Sequence, residues 1–135
     1  MKSSDLQSLI DWDAILPMER CAGGHDQQMQ ALFKGATVLA HWNENDFQGT
    51  VATAVKLADG RYCWYQDSYG SCCGCDAWED ADDTDVRRLC IGLAIDANVF
   101  DSLADMIGDM KANRAESWRA NAGHALADML EQPSV

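Results

Sequence analysis

Proline and basic residues are the scarce components of this chain. Proline occurs only at Pro17 and Pro133, and no segment repeats or is low in complexity. No proline-rich linker therefore divides the 135 residues. Lysine and arginine number 10 against 22 acids, leaving a net charge of -12. Binding that works by neutralising phosphates needs a basic face, so no direct contact with nucleic acid is expected. Docking on anionic membranes is disfavoured for the same reason. Long apolar runs are missing too. Short stretches such as Ala36 to Ala40 are the longest, well under the roughly 20 residues that span a bilayer. The opening Met-Lys-Ser-Ser-Asp-Leu-Gln has no apolar signal core, which takes roughly 7–15 residues, so a cytoplasmic location is expected.

Familiar catalytic motifs are absent as well. There is no H-E-x-x-H, no G-x-S-x-G and no P-loop lysine motif. A thiol nucleophile pairing Cys72 or Cys75 with His25 or His41 would depend wholly on the fold. The expectation is a protein that binds rather than catalyses.

What is present describes one globular domain over residues 1–135, with 47% hydrophobic and 24% charged residues. Ser4 can cap a first helix whose apolar stripe, Leu6, Leu9, Ile10 and Ile15, runs to Pro17. A short second helix spans Asp26 to Lys34, stopped by Gly35. The period then changes. Ala36 to Trp42, Thr50 to Leu57 and Arg61 to Asp67 read as strands, with Asp59-Gly60 as a hairpin turn. Asp82 or Asp83 caps a helix carrying Val86, Leu89, Cys90, Leu93 and Ala97. A further helix follows Asn98, with Phe100, Leu103, Ile107 and Met110 inward, and a last one from about Asn113 to Glu131 turns Trp118, Ala122, Ala125, Met129 and Leu130 to one side.

The expected class is α+β: an antiparallel three-stranded meander covered by N- and C-terminal helices. Helices fall at about 4–34, the sheet at about 36–67, a Cys/Gly loop at 68–78 and helices at about 82–131. Val51, Val55 and Leu57 should lie under helices, at least one of the two C-terminal helices among them. If helices cover only that face, Tyr62, Trp64 and Gln66 form an exposed patch on the other.

Cys63 and Cys90 read as small core hydrophobes. The run Ser68 to Glu79 is stranger. Cys72 and Cys75 form C-x-x-C, with Gly74 allowing the tight backbone of a metal knuckle. Cys21 and His25 are the comparable second half of a zinc site. Against zinc stands a compact loop with packed thiols, and against thiol redox chemistry stands the acid-rich stretch that follows. No cofactor is the preferred reading, with a zinc-binding or thiol protein as the alternative and an accessory structural domain as a third possibility. Asp80 to Asp85 is dense in oxygen ligands, but an EF-hand loop starting at Asp80 would hold Asp85 where glycine belongs and Ile91 where glutamate belongs.

The run Asp67-Ser-Tyr-Gly-Ser-Cys-Cys-Gly-Cys-Asp76 resembles a motif of uncharacterised small proteins of phages and their hosts, which reads Gly-Ser-Cys-Ser-Gly-Cys-Asp. The likeness covers about residues 60 to 80, and Cys73 stands where that motif has serine. It implies no activity. It implies provenance from a phage or mobile element.

Acidity is concentrated in the same half of the chain. From Tyr62 to Met110 there are eleven acids against Arg87 and Arg88, a local balance of -9. Asp101, Asp105 and Asp109 recur every four residues, which would stack three carboxylates on one helix face. A solvated helix face is the plain explanation. The sharper one is a negative surface, with Asp80, Asp82, Asp83, Asp101, Asp105 and Asp109 facing a basic partner. The expected partner is a host protein that handles nucleic acid, bound by an inhibitor of the anti-CRISPR or anti-restriction type that imitates nucleic-acid charge.

Overall fold

The computed structural model describes residues 4–18, 24–44, 49–69, 82–113 and 121–131. Its sheet grows from the expected meander: β1 (Thr37–Asn43), β2 (Gly49–Lys56) and β3 (Tyr62–Tyr69) pair antiparallel in sequence order. The turn between β2 and β3 is the one the Asp-Gly pair demands. The Gly60 N–H donates to Leu57 O at 2.9 Å, and Leu57 N–H donates to Arg61 O at 2.8 Å. Gly60 sits at φ 95°, where a side chain would be strained.

The turn is clamped from outside. The Arg61 guanidinium donates to Asp59 Oδ2 at 2.7 Å and to Asp5 Oδ2 at 2.6 Å, tying the hairpin to the N-terminal segment. Hydrogen bonds from Arg61 hold the Asp59 carboxyl below the usual aspartate range. The sign follows from that lowering. Stability from this contact is complete above the unfolded value of about 3.9, and it is lost as pH falls through the lower folded value. Arg61→Gln should therefore lower the melting temperature at neutral pH by an amount that shrinks towards strong acid. Both carboxylates are half exposed, so the loss should stay under about 1 kcal/mol. A deficit that persists undiminished in acid would mean the clamp is not ionic.

The class is α+β, but the sheet has four strands rather than three, in the order β1-β2-β3-β4. β4 (Asn98–Phe100) pairs antiparallel with β3, setting Asn98 against Trp64 and Phe100 against Tyr62. These residues were expected to open a helix. The helix instead starts at Leu103, because the Ser102 hydroxyl accepts the Asp105 N–H at 3.1 Å as its N-cap. The inward face of α4 (Leu103–Ala112) also differs from the expected one. Met106 and Met110 are fully buried, Ile107 is partly buried, and Leu103, expected inside, is 37% exposed.

Both faces of the sheet are covered, which corrects the one-sided arrangement. On one face Val51, Val55, Leu57, Cys63 and Tyr65 pack under the N-terminal helices and α3 (Asp83–Asp96), which contributes Val86, Cys90, Leu93 and Ala94. On the other face Ala40, Ala52, Ala54 and Trp64 meet α4 and α5 (Ala122–Glu131). The two C-terminal helices thus lie on the face opposite Val51 and Val55. Gly49 to Val55 of β2 are all buried, because small alanines let a helix approach where a polar row would have faced water. Trp64 is only 4% exposed, so the expected open aromatic patch does not form.

The helices otherwise follow their caps. Asp82 and Asp85 form a reciprocal capping box at the start of α3. The first expected helix is split: a 3-10 segment, Ser4–Leu9, and α1 (Trp12–Ile15) flank Ile10, which forms a β-bridge with Phe33. α2 (Gly24–Gln30) stops four residues short of Lys34, whose N–H donates to Leu9 O at 2.8 Å. In α5 the inward residues are Ala122, Gly123, Leu126 and Ala127, whereas Met129 is 42% exposed; Trp118 lies outside the described residues. No described helix is long and apolar enough to cross a membrane.

Candidate functional site

The acids singled out from sequence are distributed rather than gathered. Asp82 and Asp83 are exposed at the start of α3, and Asp82 also caps it. Asp101 and Asp105 are exposed at the start of α4, beyond the far end of α3. Along the chain the rest of the 14-residue α3 and then β4 lie between the two groups. Asp80 lies outside the described residues. Asp101 precedes the Ser102 cap, so the expected three-acid ridge on one helix reduces to Asp105 and Asp109.

Asp109 does different work. It is partly buried, and its Oδ2 accepts the Trp64 Nε1–H at 2.8 Å. A buried indole needs a partner for its one donor, and this carboxylate supplies it. The four-residue spacing implied a solvated carboxylate here; instead Asp109 is partly buried and committed to the tryptophan beneath it.

Apart from the exposed Lys34, the described cations are engaged locally. Arg61 bridges Asp59 and Asp5, Arg88 pairs with Asp85, and Lys111 Nζ meets Glu131 Oε1 at 2.7 Å. Arg87 stands 5.2 Å from the Trp12 ring centre and Lys56 5.7 Å from that of Tyr62. Among the described residues no cation pairs with Asp101 or Asp105. The acid excess at that end of the sheet is left to solvent.

A second polar constellation was not legible in advance. His41 Nδ1 lies 2.8 Å from Thr53 Oγ1, and its Nε2 lies 2.7 Å from Asp26 Oδ1. Asn43 Nδ2 donates to both oxygens of the same carboxylate, at 2.9 and 3.1 Å. A carboxylate only accepts, so in the neutral ring Nε2 carries the hydrogen and Nδ1 accepts the Thr53 hydroxyl. Carboxylate, imidazole and hydroxyl stand in the order of a nucleophile relay. Yet Thr53 is 0% exposed in the central strand, so no substrate carbonyl reaches Oγ1. The constellation joins α2 to β1 and β2. Its one sequence signal was the cross-strand position of His41 opposite Thr53, which needs the strand register to be known.

The thiols divide by position. Cys63 and Cys90 are fully buried, as their spacing implied, and Gln28 Nε2 donates to Cys90 Sγ at 3.3 Å. Cys21, Cys72 and Cys75 lie outside the described residues, as does the His25 side chain, so the alternative zinc set is not placed. Among the described residues no group of three or more His, Cys, Asp or Glu side chains is arranged to hold a metal ion. Compared with known proteins, the chain matches no family model, no curated protein and no solved structure.

Proposed function

We propose that this protein is a non-enzymatic, acidic binding protein that docks on a basic, nucleic-acid-handling protein of a host cell and competes there with nucleic acid. The observation that carries this is the uneven use of charge. The described arginines, Lys56 and Lys111 are held in ion pairs or over aromatic rings, while Asp101 and Asp105 stand exposed with no described cation beside them. A net charge of -12 steers the molecule toward Lys- and Arg-lined grooves. The phage-like motif at residues 67–76 supplies the setting, a mobile-element inhibitor of the anti-CRISPR or anti-restriction type working in the cytoplasm.

Asp101→Asn/Asp105→Asn is the direct test, with Asp109 left intact because it holds Trp64. Folding stability should change by less than about 0.5 kcal/mol, since both groups are solvated. Affinity for the protein captured from nuclease-treated lysate should fall about tenfold, and parent affinity should decline as salt rises. Unchanged affinity that is insensitive to salt would overturn the proposal.

A further inference from the structure

The ladder between β2 and β3 fixes which way the main chain of β3 points. Leu57 N–H donates to Arg61 O at 2.8 Å, and Val55 stands opposite Cys63. Bonded and unbonded pairs alternate along an antiparallel ladder. Cys63, Tyr65 and Asp67 therefore turn their N–H and C=O groups to β2, while Tyr62, Trp64, Gln66 and Ser68 turn theirs the other way. Tyr62 and Trp64 meet Phe100 and Asn98 of β4, and there the pairing stops. Gln66 and Ser68 lie past that point and are exposed. Among the described residues no main-chain group pairs with the Gln66 N–H or C=O, or with the Ser68 C=O. The Ser68 N–H donates instead to the neighbouring Asp67 carboxylate at 2.9 Å.

This open edge borders a cleft of about 230 Å³ whose lining includes Gln66, Asp96, Asn98 and Asn113. Outward main-chain donors and acceptors beside a cleft are what an added strand uses. About three residues of extended chain would span Gln66 to Ser68. Asp96 is the last residue of α3 and Asn113 the C-cap of α4, so helix C-termini from opposite faces of the sheet both border the cleft. Such ends carry partial negative charge. α3 has no base in its last turn, and Lys111 of α4 is held by Glu131. With a net charge of -12 on the chain, the side chains welcome on either face of an added strand are basic.

We infer that the open edge of β3 from Gln66 to Ser68 takes up an extended, lysine- or arginine-bearing segment of the partner as an antiparallel strand continuing the line of β4. The Gln66 N–H and C=O supply the anchoring pair of hydrogen bonds, and the basic side chains face the two helix ends. The inference rests on the binding role proposed above and names the kind of partner segment that is bound.

Hydrogen exchange and a peptide titration of the ¹⁵N-labelled protein test it. In the free protein the Gln66 main-chain amide should exchange at least about tenfold faster than those of Trp64, Tyr65 and Asp67, which are bonded to β4 or β2. The probe is an end-blocked peptide of about seven residues alternating lysine with valine. Saturable shifts should centre on the Gln66 and Ser68 main-chain amides, and Gln66 exchange should slow about tenfold on binding. The same peptide with its backbone amides N-methylated should bind at least about tenfold more weakly, as should a version with glutamate for lysine. Gln66→Pro removes the outward N–H without touching the ladder to β2, and should abolish the shifts, whereas Gln66→Ala should bind as the parent does. The peptide series on the parent protein decides the matter even if the proline variant does not fold. Slow Gln66 exchange in the free protein, equal binding of the N-methylated peptide, or shifts spread over all exposed acids would each overturn the inference. An edge that ignores the peptide, in a protein whose partner affinity still falls with Asp101→Asn/Asp105→Asn, overturns the added strand and leaves the binding role standing. A peptide that binds at Gln66, with partner affinity indifferent to that double substitution and to salt, keeps the strand site and overturns the role.

Discussion

Gly123→Ala should destabilise the protein by about 2–3 kcal/mol, although alanine is the better helix former by about 1 kcal/mol. Gly123 lies in the first turn of α5, buried against the end of α4. A Cβ there would stand 2.5 Å from Met110 O and 2.6 Å from Asn113 Cβ. The nearer atom is backbone, so relief requires the two helices to part. They are also stitched by Asn121, which donates to Asn113 O at 2.7 Å and accepts the His124 N–H at 3.0 Å. Parting the helices would therefore strain these bonds and open the Met106, Met110 and Leu126 cluster. Gly108→Ala is the matched control. It sits on the exposed side of α4 with nothing within 4 Å of a new Cβ, and should stabilise by up to about 1 kcal/mol. Urea midpoints for the two variants should move in opposite directions. A Gly123→Ala protein as stable as its parent would refute the close α4–α5 contact.

His41→Leu should cost about 2–3 kcal/mol, more than its partly exposed position suggests. The substitution strands the Thr53 hydroxyl, fully buried in β2, and takes from Asp26 the ring that Nε2 presents to it. Thr53→Val, nearly isosteric and more apolar, should still cost about 1–2 kcal/mol because His41 Nδ1 loses its donor. The double variant should cost clearly less than the two added together, since replacing both partners leaves neither group unsatisfied. Strict additivity in a urea-unfolding cycle would show that the two side chains do not depend on each other.

Much of the scaffold was readable because local chemistry decided it. Asp59-Gly60 specifies a hairpin through φ 95° at Gly60. Asp82 with Asp85 announces the start of α3, and Val86, Cys90 and Leu93 mark its inward face. The misreadings share one cause, which is that a short or ambivalent segment takes its state from a neighbour. Asn98 to Phe100 is too short for any period to show, and becomes a strand because β3 offers a free edge. Ile10 leaves its helix to bridge Phe33. Ala52 and Ala54 alternate with Val51, Thr53 and Val55 as an outer row would, yet alanine is also the residue a helix can rest against.

The sequence by itself determined the charge, the three-strand meander with its hairpin and the burial of Cys63 and Cys90, because composition, turn chemistry and periodicity are properties of neighbouring residues. Only the tertiary structure decided which carboxylates are solvent-facing and which are committed inside. Asp105 and Asp109 look equivalent at a four-residue spacing, but one faces water and the other binds Trp64 from 45 residues away. Asp26, His41 and Thr53 meet only through strand register and the docking of α2. Each is a contact between distant segments, settled by packing and by the need to satisfy buried polar groups, and no local pattern encodes it.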